Sequence, residues 1–190
     1  MKKKLWKPLS NYLKTGSKKN KFLLIFLAVS FRAAALDAEF IVKPGPDSAE
    51  ISAKVEKIDV SQLARTLTDG LRCGISFEFQ IYEERTAIAD SFVLEYAFHR
   101  EGKWDPFSQS YLISESDGYL RLVQGLGEFM DYFLTLKNYN IIFEKKPDSQ
   151  YYILCRVKVE IIKLVPPFQI LAPGMNSNFP ATTWIKKNLY

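Results

Sequence analysis

His99 is the only histidine in the 190 residues of this chain, and that removes most histidine-based chemistry at once. A structural or catalytic zinc site needs three or four His, Cys or carboxylate ligands at close spacing. The two cysteines, Cys73 and Cys155, stand far apart in no such motif. A Ser-His-Asp triad would have to use His99, yet no Gly-x-Ser-x-Gly elbow presents a serine to it. Gly125-Leu126-Gly127 lacks the third glycine of a dinucleotide fingerprint and the Gly-Lys-Ser/Thr of a P-loop, so it reads as a turn leading into a helix. These residues lead us to expect no catalytic residue, no cofactor and no metal.

Carboxylates offer another route to chemistry, because glycoside hydrolysis needs two of them facing one groove. The near pairs are Glu83 with Glu84, Asp90 with Glu95, and Glu115 with Asp117. Neighbours along a strand point to opposite faces, and acids flanking a hairpin turn are simply solvated. The most pointed cluster runs from His99 to Phe107, with Tyr111 following. Arg100, Trp104, Asp105, Phe107 and Tyr111 are its candidate partner-binding residues, since flat rings contribute contact area while charged groups fix orientation. The competing reading is a hairpin whose Trp104 covers the core edge while Arg100 and Asp105 pair across the turn. An exposed strand edge that accepts a partner's extended segment is a further route to binding.

The elements that would carry these residues are mostly strands. Ile75, Phe77, Phe79 and Ile81 alternate with polar neighbours; so do Phe92, Leu94, Tyr96 and Phe98, and so do Ile153, Cys155, Val157, Val159 and Ile161. Period two is the mark of strands with one buried face. Shorter strands are expected over 38–43, 50–57, 109–114, 119–123 and 140–144. Asp117-Gly118 suits a type I′ hairpin turn, and Glu101-Gly102 and Pro44-Gly45-Pro46 are also read as turns. Two segments switch to helical spacing. Val60, Leu63, Ala64, Leu67 and Leu71 form one stripe, with Asp59 and Gln62 as its N-terminal cap and Gly70 at its end. Leu126, Phe129, Met130, Phe133 and Leu136 form the other, ended by Asn138. Pro166-Pro167 closes the last long strand, and 173–180 reads as a loop. The expected fold is mainly β (α+β), an antiparallel β-sandwich-like domain with two short packed helices.

Charge and address come from the opening of the chain. Residues 1–21 hold eight lysines and no acid, the apolar run Phe22 to Phe31 follows, and Ala33, Ala34 and Ala35 supply small residues. This is the three-part pattern of an export leader. Residues 1–35 are read as a signal peptide or, because Arg32 sits beside the cleavage site, as an uncleaved N-terminal anchor; an upstream start codon that the cell does not use is a third reading of the lysine-rich stretch. Residues 36–190 form a single β-rich domain. The leader accounts for 9 of the 26 basic residues and none of the 21 acidic ones, so the remainder carries 17 − 21 = −4 against +5 for the whole chain. The basic balance therefore stops arguing for nucleic acid, and a membrane contact is expected only through an uncleaved leader. Cys73 and Cys155 could pair in an oxidising compartment, although Cys155 falls on the apolar face of a strand, where a buried free thiol is common.

An ordered set of features resembles a known family. It comprises the leader, two opening strands, a short helix, Gly74-Ile75-Ser76-Phe77-Glu78-Phe79, Trp104-Asp105, a tyrosine-rich strand, the Phe129–Leu136 helix, the Tyr152 to Arg156 strand, a proline stop and Trp184. Together they resemble the bacterial Domain of Unknown Function 4390 family over residues 37–190. The tail departs from that pattern, with Phe179 where a second tryptophan is expected. The resemblance implies an exported envelope protein with no assigned activity. The expectation is thus a non-catalytic module of the periplasm or cell envelope that binds a protein or glycan partner; the alternative is a carboxylate-based hydrolase acting on an envelope polymer.

Overall fold

The computed structural model describes residues 36–162, 177–178 and 181–189. The leader, Pro166-Pro167 and most of the 173–180 loop lie outside them. All the described residues belong to one unit, Ala34–Tyr190.

The element order is β1 (Asp37–Pro44), β2 (Ser48–Lys57), α1 (Val60–Thr68), β3 (Arg72–Glu84), β4 (Ser91–Asp105), β5 (Ser110–Glu115) and β6 (Leu120–Val123). There follow α2 (Leu126–Phe133), β7 (Thr135–Ile142), β8 (Gln150–Ile162), β9 (Ser177–Asn178) and β10 (Ile185–Asn188). The strands form two antiparallel sheets. The smaller has the order β1-β2-β7, and the larger β10-β8-β3-β4-β5-β6, with β9 beside β8. One hydrophobic cluster draws on both sheets and both helices, giving the α+β sandwich-like domain expected from the alternation. The central strand β3 pairs with β4 and β8 along nearly its whole length. Its alternate residues Ile75, Phe77, Phe79 and Ile81 are fully buried, and β8 answers with Ile153, Cys155, Val157, Val159 and Ile161.

Helix α1 forms as its sequence requires. Asp59 Oδ1 accepts the Gln62 backbone N–H at 2.9 Å, satisfying one orphan donor of the first turn, and Gly70 takes φ +76 just past the end. Helix α2 is shorter than its apolar stripe. It ends at Phe133, and Leu136 lies on β7 opposite Ala53. The cause is the edge of β2: Val55 N–H donates to Leu134 O at 3.0 Å, so sheet pairing captures the chain before the helix can continue. Asn138 does adopt a left-handed φ of +50, but in a bulge. Lys137 and Asn138 together oppose Ser52, whose hydroxyl accepts the Asn138 N–H at 3.1 Å.

Three local expectations are corrected. Glu101-Gly102 is not a turn but lies inside β4, where Gly102 faces Phe129: a Cβ there would lie 2.5 Å from Phe129 Cζ. Asp117-Gly118 does close a hairpin, but only Gly118 has positive φ. Gly118 N–H donates to Glu115 O at 3.0 Å, and Glu115 N–H donates to Tyr119 O at 2.9 Å. That is a three-residue loop with glycine in the left-handed position, not type I′. The run Phe92-Leu94-Tyr96-Phe98 does not bury one face, because a bulge opposite Ile81 and Tyr82 puts Phe92 on the same face as Tyr82.

The cysteines are free and buried. Cys73 is paired with Ile161, six residues along β8 from Cys155, so about 20 Å separates them at ~3.3 Å per residue. A disulfide is excluded by that distance. Burial pushes both thiols up to about 12.

Candidate functional site

The five candidate residues fall around the β4–β5 hairpin, but at different depths. Arg100 and Glu115 face each other across β4 and β5 on the inner side of the sheet. Arg100 Nε is 2.7 Å from Glu115 Oε1, with both side chains under 10 % exposed (6 % and 8 %). The Arg100 guanidinium also donates to Tyr132 O and Thr135 O, each at 2.6 Å. Tyr132 O belongs to the last turn of α2 and Thr135 O to the start of β7, so the cation ties the helix end to the strand that follows it and answers the helix dipole. Tyr132 completes the network: its hydroxyl donates to Glu115 at 2.7 Å. Its ring lies between two guanidinium groups, Arg100 at 4.4 Å and Arg121 at 4.3 Å. Burial, then the Glu115 contact, pushes the Tyr132 phenol up. Arg100 is thus withdrawn from the surface and spent on anchoring α2.

Trp104 and Tyr111 pair on the same inner side, with ring centroids 4.7 Å apart. Tyr111 meets Phe129 at 5.0 Å, and Phe129 meets Phe133 at 5.1 Å. This aromatic ladder runs from the sheet edge into the core, and half-buried Trp104 packs on the core edge. Gly102 makes room for Phe129 within it. Asp105 does not pair with Arg100; it closes its own turn, accepting the Ser108 hydroxyl at 2.8 Å and the Phe107 N–H at 3.1 Å. Those two donors, Ser108 first, hold its carboxyl below the usual range. Phe107, at the tip of the turn, is 97 % exposed.

Residues that sequence reasoning did not single out extend the exposed surface. Leu120 and Leu122 on β6 are 62 % and 63 % exposed, and Tyr119 just before them is 53 % exposed. Leu122 lies opposite Leu112 and Leu120 opposite Ser114, on the outer face of the hairpin. The signal was present in Leu120-Arg121-Leu122-Val123, where each face of a strand receives an apolar residue, but a strand of four residues does not say which face is buried.

His99 has an unforeseen partner. Its Nδ1 lies 2.9 Å from Ser76 Oγ, which is the contact a serine nucleophile makes with a base. Ser76 sits mid-strand, with His99 on one side and Lys158 on the other, so no free backbone N–H stands ready for an oxyanion. The near carboxylate pairs are likewise occupied. Glu83 is held low first by Lys146, 2.8 Å away, then by Ser149 at 2.9 Å. Asp90 is held low first by the Arg85 N–H, then by the Tyr152 hydroxyl. Lowered carboxyls are the reverse of what a general acid requires. A polar hollow of about 470 Å³ lies where the β3–β4 and β7–β8 loops meet, lined by Glu84, Arg85, Thr86, Asp148, Ser149 and Gln150. Among the described residues no three His, Cys, Asp or Glu are placed to share a metal ion, and no helix is long and apolar enough to cross a membrane.

Comparison with known proteins gives one match. The model of a family described as a domain of unknown function (DUF4390) covers residues 39–188, from the third residue of β1 to the last of β10. No curated protein and no solved structure matches the chain.

Proposed function

We propose, for a chain that belongs to the Domain of Unknown Function 4390 family, that it is an exported, non-catalytic module of the cell envelope which binds a protein partner. The observation that carries this reading is the set of exposed apolar side chains carried by the β4–β5–β6 region, at both of its turns and along β6. Phe107, Tyr119, Leu120 and Leu122 are all more than half exposed on a hairpin whose underside is anchored by the Arg100–Glu115–Tyr132 network. A rigid support carrying exposed rings and leucines is suited to contact area without deep enclosure. A glycan partner is less well served, because the Trp104 ring is turned onto Tyr111. The export part of the proposal rests on the leader pattern of residues 1–35.

The test places a photo-reactive residue at 107 or at 122, with exposed Glu56 on β2 as the control position. A defined adduct from 107 and 122 in intact cells, absent from 56, is the expected result. The identified protein should then bind the purified chain in calorimetry and lose affinity with Phe107→Ser or Leu122→Ser. Adducts equal at all three positions, or none, would refute the surface. Export is checked separately by intact-mass measurement of the envelope fraction, where absence of the protein would refute it.

A further inference from the structure

Among the described residues the larger sheet has an open edge in its middle as well as at its ends. Strand β5 pairs with β4 only over Arg100–Asp105. Beyond it, Ser116 closes His99, donating its N–H to His99 O at 2.9 Å and accepting the His99 N–H on Oγ at 3.3 Å. From Phe98 back to Ser91, β4 has no neighbour on that side among the described residues. Backbone groups alternate in direction along an antiparallel strand. Those of Ala97 and Glu95 therefore point the same way as those of His99, away from β3, where no described residue pairs with them.

Exposed edges usually carry protection in the form of brevity, lysines or proline. Strand β6 is four residues long and includes Arg121, and β10 carries Lys186 and Lys187 over four residues. The open part of β4 is eight residues, Ser91-Phe92-Val93-Leu94-Glu95-Tyr96-Ala97-Phe98, without Lys, Arg or Pro. Its charge is acidic. Glu95 is exposed on the outer face, and Asp117 lies in the loop that ends the edge. On the inner face Tyr96 is 41 % exposed although it stands opposite buried Phe79. Beside it is half-buried Tyr139, whose phenol is raised first by burial and then by nearby Tyr96 and Asp117.

We propose that Ser91–Phe98 of β4 is a docking edge for an extended segment of a partner protein in which apolar and basic residues alternate. The segment's backbone pairs with Ala97 and Glu95. Its apolar side chains fall over Tyr96 and Tyr139, and its basic side chains meet Glu95 on the outer face. The stretch free of the bulge, Leu94–Phe98, offers about 17 Å at ~3.3 Å per residue. A second copy of β4 fits worse. Antiparallel self-pairing about Tyr96 would set Ser91 and Phe92 of one copy opposite Glu101 and Arg100 of the other, positions that Ser114 and Glu115 already hold. Self-pairing about Glu95 sets two carboxylates face to face.

The experiment is an NMR titration of the purified protein with a blocked seven-residue peptide of alternating valine and lysine, and with its valine–glutamate counterpart. The lysine peptide should slow amide exchange at Ala97 and Glu95. Ala97→Pro, which removes one outward N–H at an edge position that tolerates proline, should weaken it about tenfold, one net hydrogen bond. Should Ala97→Pro fail to fold, Glu95→Lys carries the test by reversing the preference between the two peptides. Unprotected amides, an unreversed preference, or the same amides protected by dimerisation without peptide would each overturn the proposal. This edge is separate from the Phe107–Leu122 surface, so failure of either leaves the other standing.

Discussion

Replacing Arg100 with Ala removes the cation from a buried carboxylate and the donor from two backbone carbonyls, Tyr132 O and Thr135 O. Breaking one side of a buried ion pair costs about 3–5 kcal/mol, because the partner charge stays behind uncompensated. Glu115 would keep only the Tyr132 hydroxyl. Against a domain stability of roughly 5–15 kcal/mol, that is a large fraction, and α2 should loosen with it. In urea, with a slope of about 2 kcal/mol/M, the unfolding midpoint should fall by about 2 M. Arg100→Met combined with Glu115→Leu should recover a good part of this, since removing both charges leaves no orphaned ion. Lys43→Ala breaks an exposed pair, with side chains 69 % and 40 % exposed, and serves as control at about 0.5 kcal/mol or less. A loss under about 1 kcal/mol for Arg100→Ala, or a double variant no better than the single, would refute the view that this pair anchors the hairpin to α2.

Gly102→Ala drives a methyl to 2.5 Å from Phe129 Cζ and should cost about 1–3 kcal/mol by overpacking; Phe129→Leu in the same chain should give part of it back in thermal melts, and an unchanged melting temperature for Gly102→Ala would contradict the contact. Cys73 and Cys155, with thiols pushed up to about 12 by burial, should resist Ellman's reagent at pH 8 and both react in urea; rapid labelling of either in the native protein would count against their burial. Burial alone would raise the Glu78 carboxyl, but Lys158 and Arg156 bring it below its ordinary 4.5. A lowered folded pKa contributes stability above the unfolded value and loses it as pH falls through the folded one. Unfolding free energy should therefore decline below about pH 4.5, where Glu83 and Asp90 act in the same direction. Glu78→Gln should flatten that decline in urea titrations, and an unchanged acid slope would show that the pairing contributes nothing.

Alternation located β3 and β8 correctly because both are covered on one side by the second sheet along most of their length. It misjudged β4, whose first half is covered chiefly at Phe98, against Tyr139, and whose bulge turns Phe92 over. The end of α2 was illegible for a related reason: the stripe through Leu136 satisfies helical spacing, and only the demand of β2 for a partner, met at Val55 and Ala53, pulls Leu136 into a strand. Of the candidate site, Phe107 lies exposed at the surface and Arg100 is buried, while Trp104 and Tyr111 are half-buried against each other. Sequence spacing put Arg100 near Asp105; the register put it opposite Glu115.

By itself the sequence determined residue chemistry and local periodicity. One histidine, two distant cysteines, a lysine-rich opening and strand-forming alternation are properties of near neighbours, and near neighbours suffice to read them. The tertiary structure decided which strand pairs with which, which arginine is buried, and which edges stay open. Those outcomes depend on contacts between residues far apart in the chain, such as Arg100 with Thr135 and Val55 with Leu134. Periodicity shows that a face must be buried, but only the packed sheets show whether anything covers it.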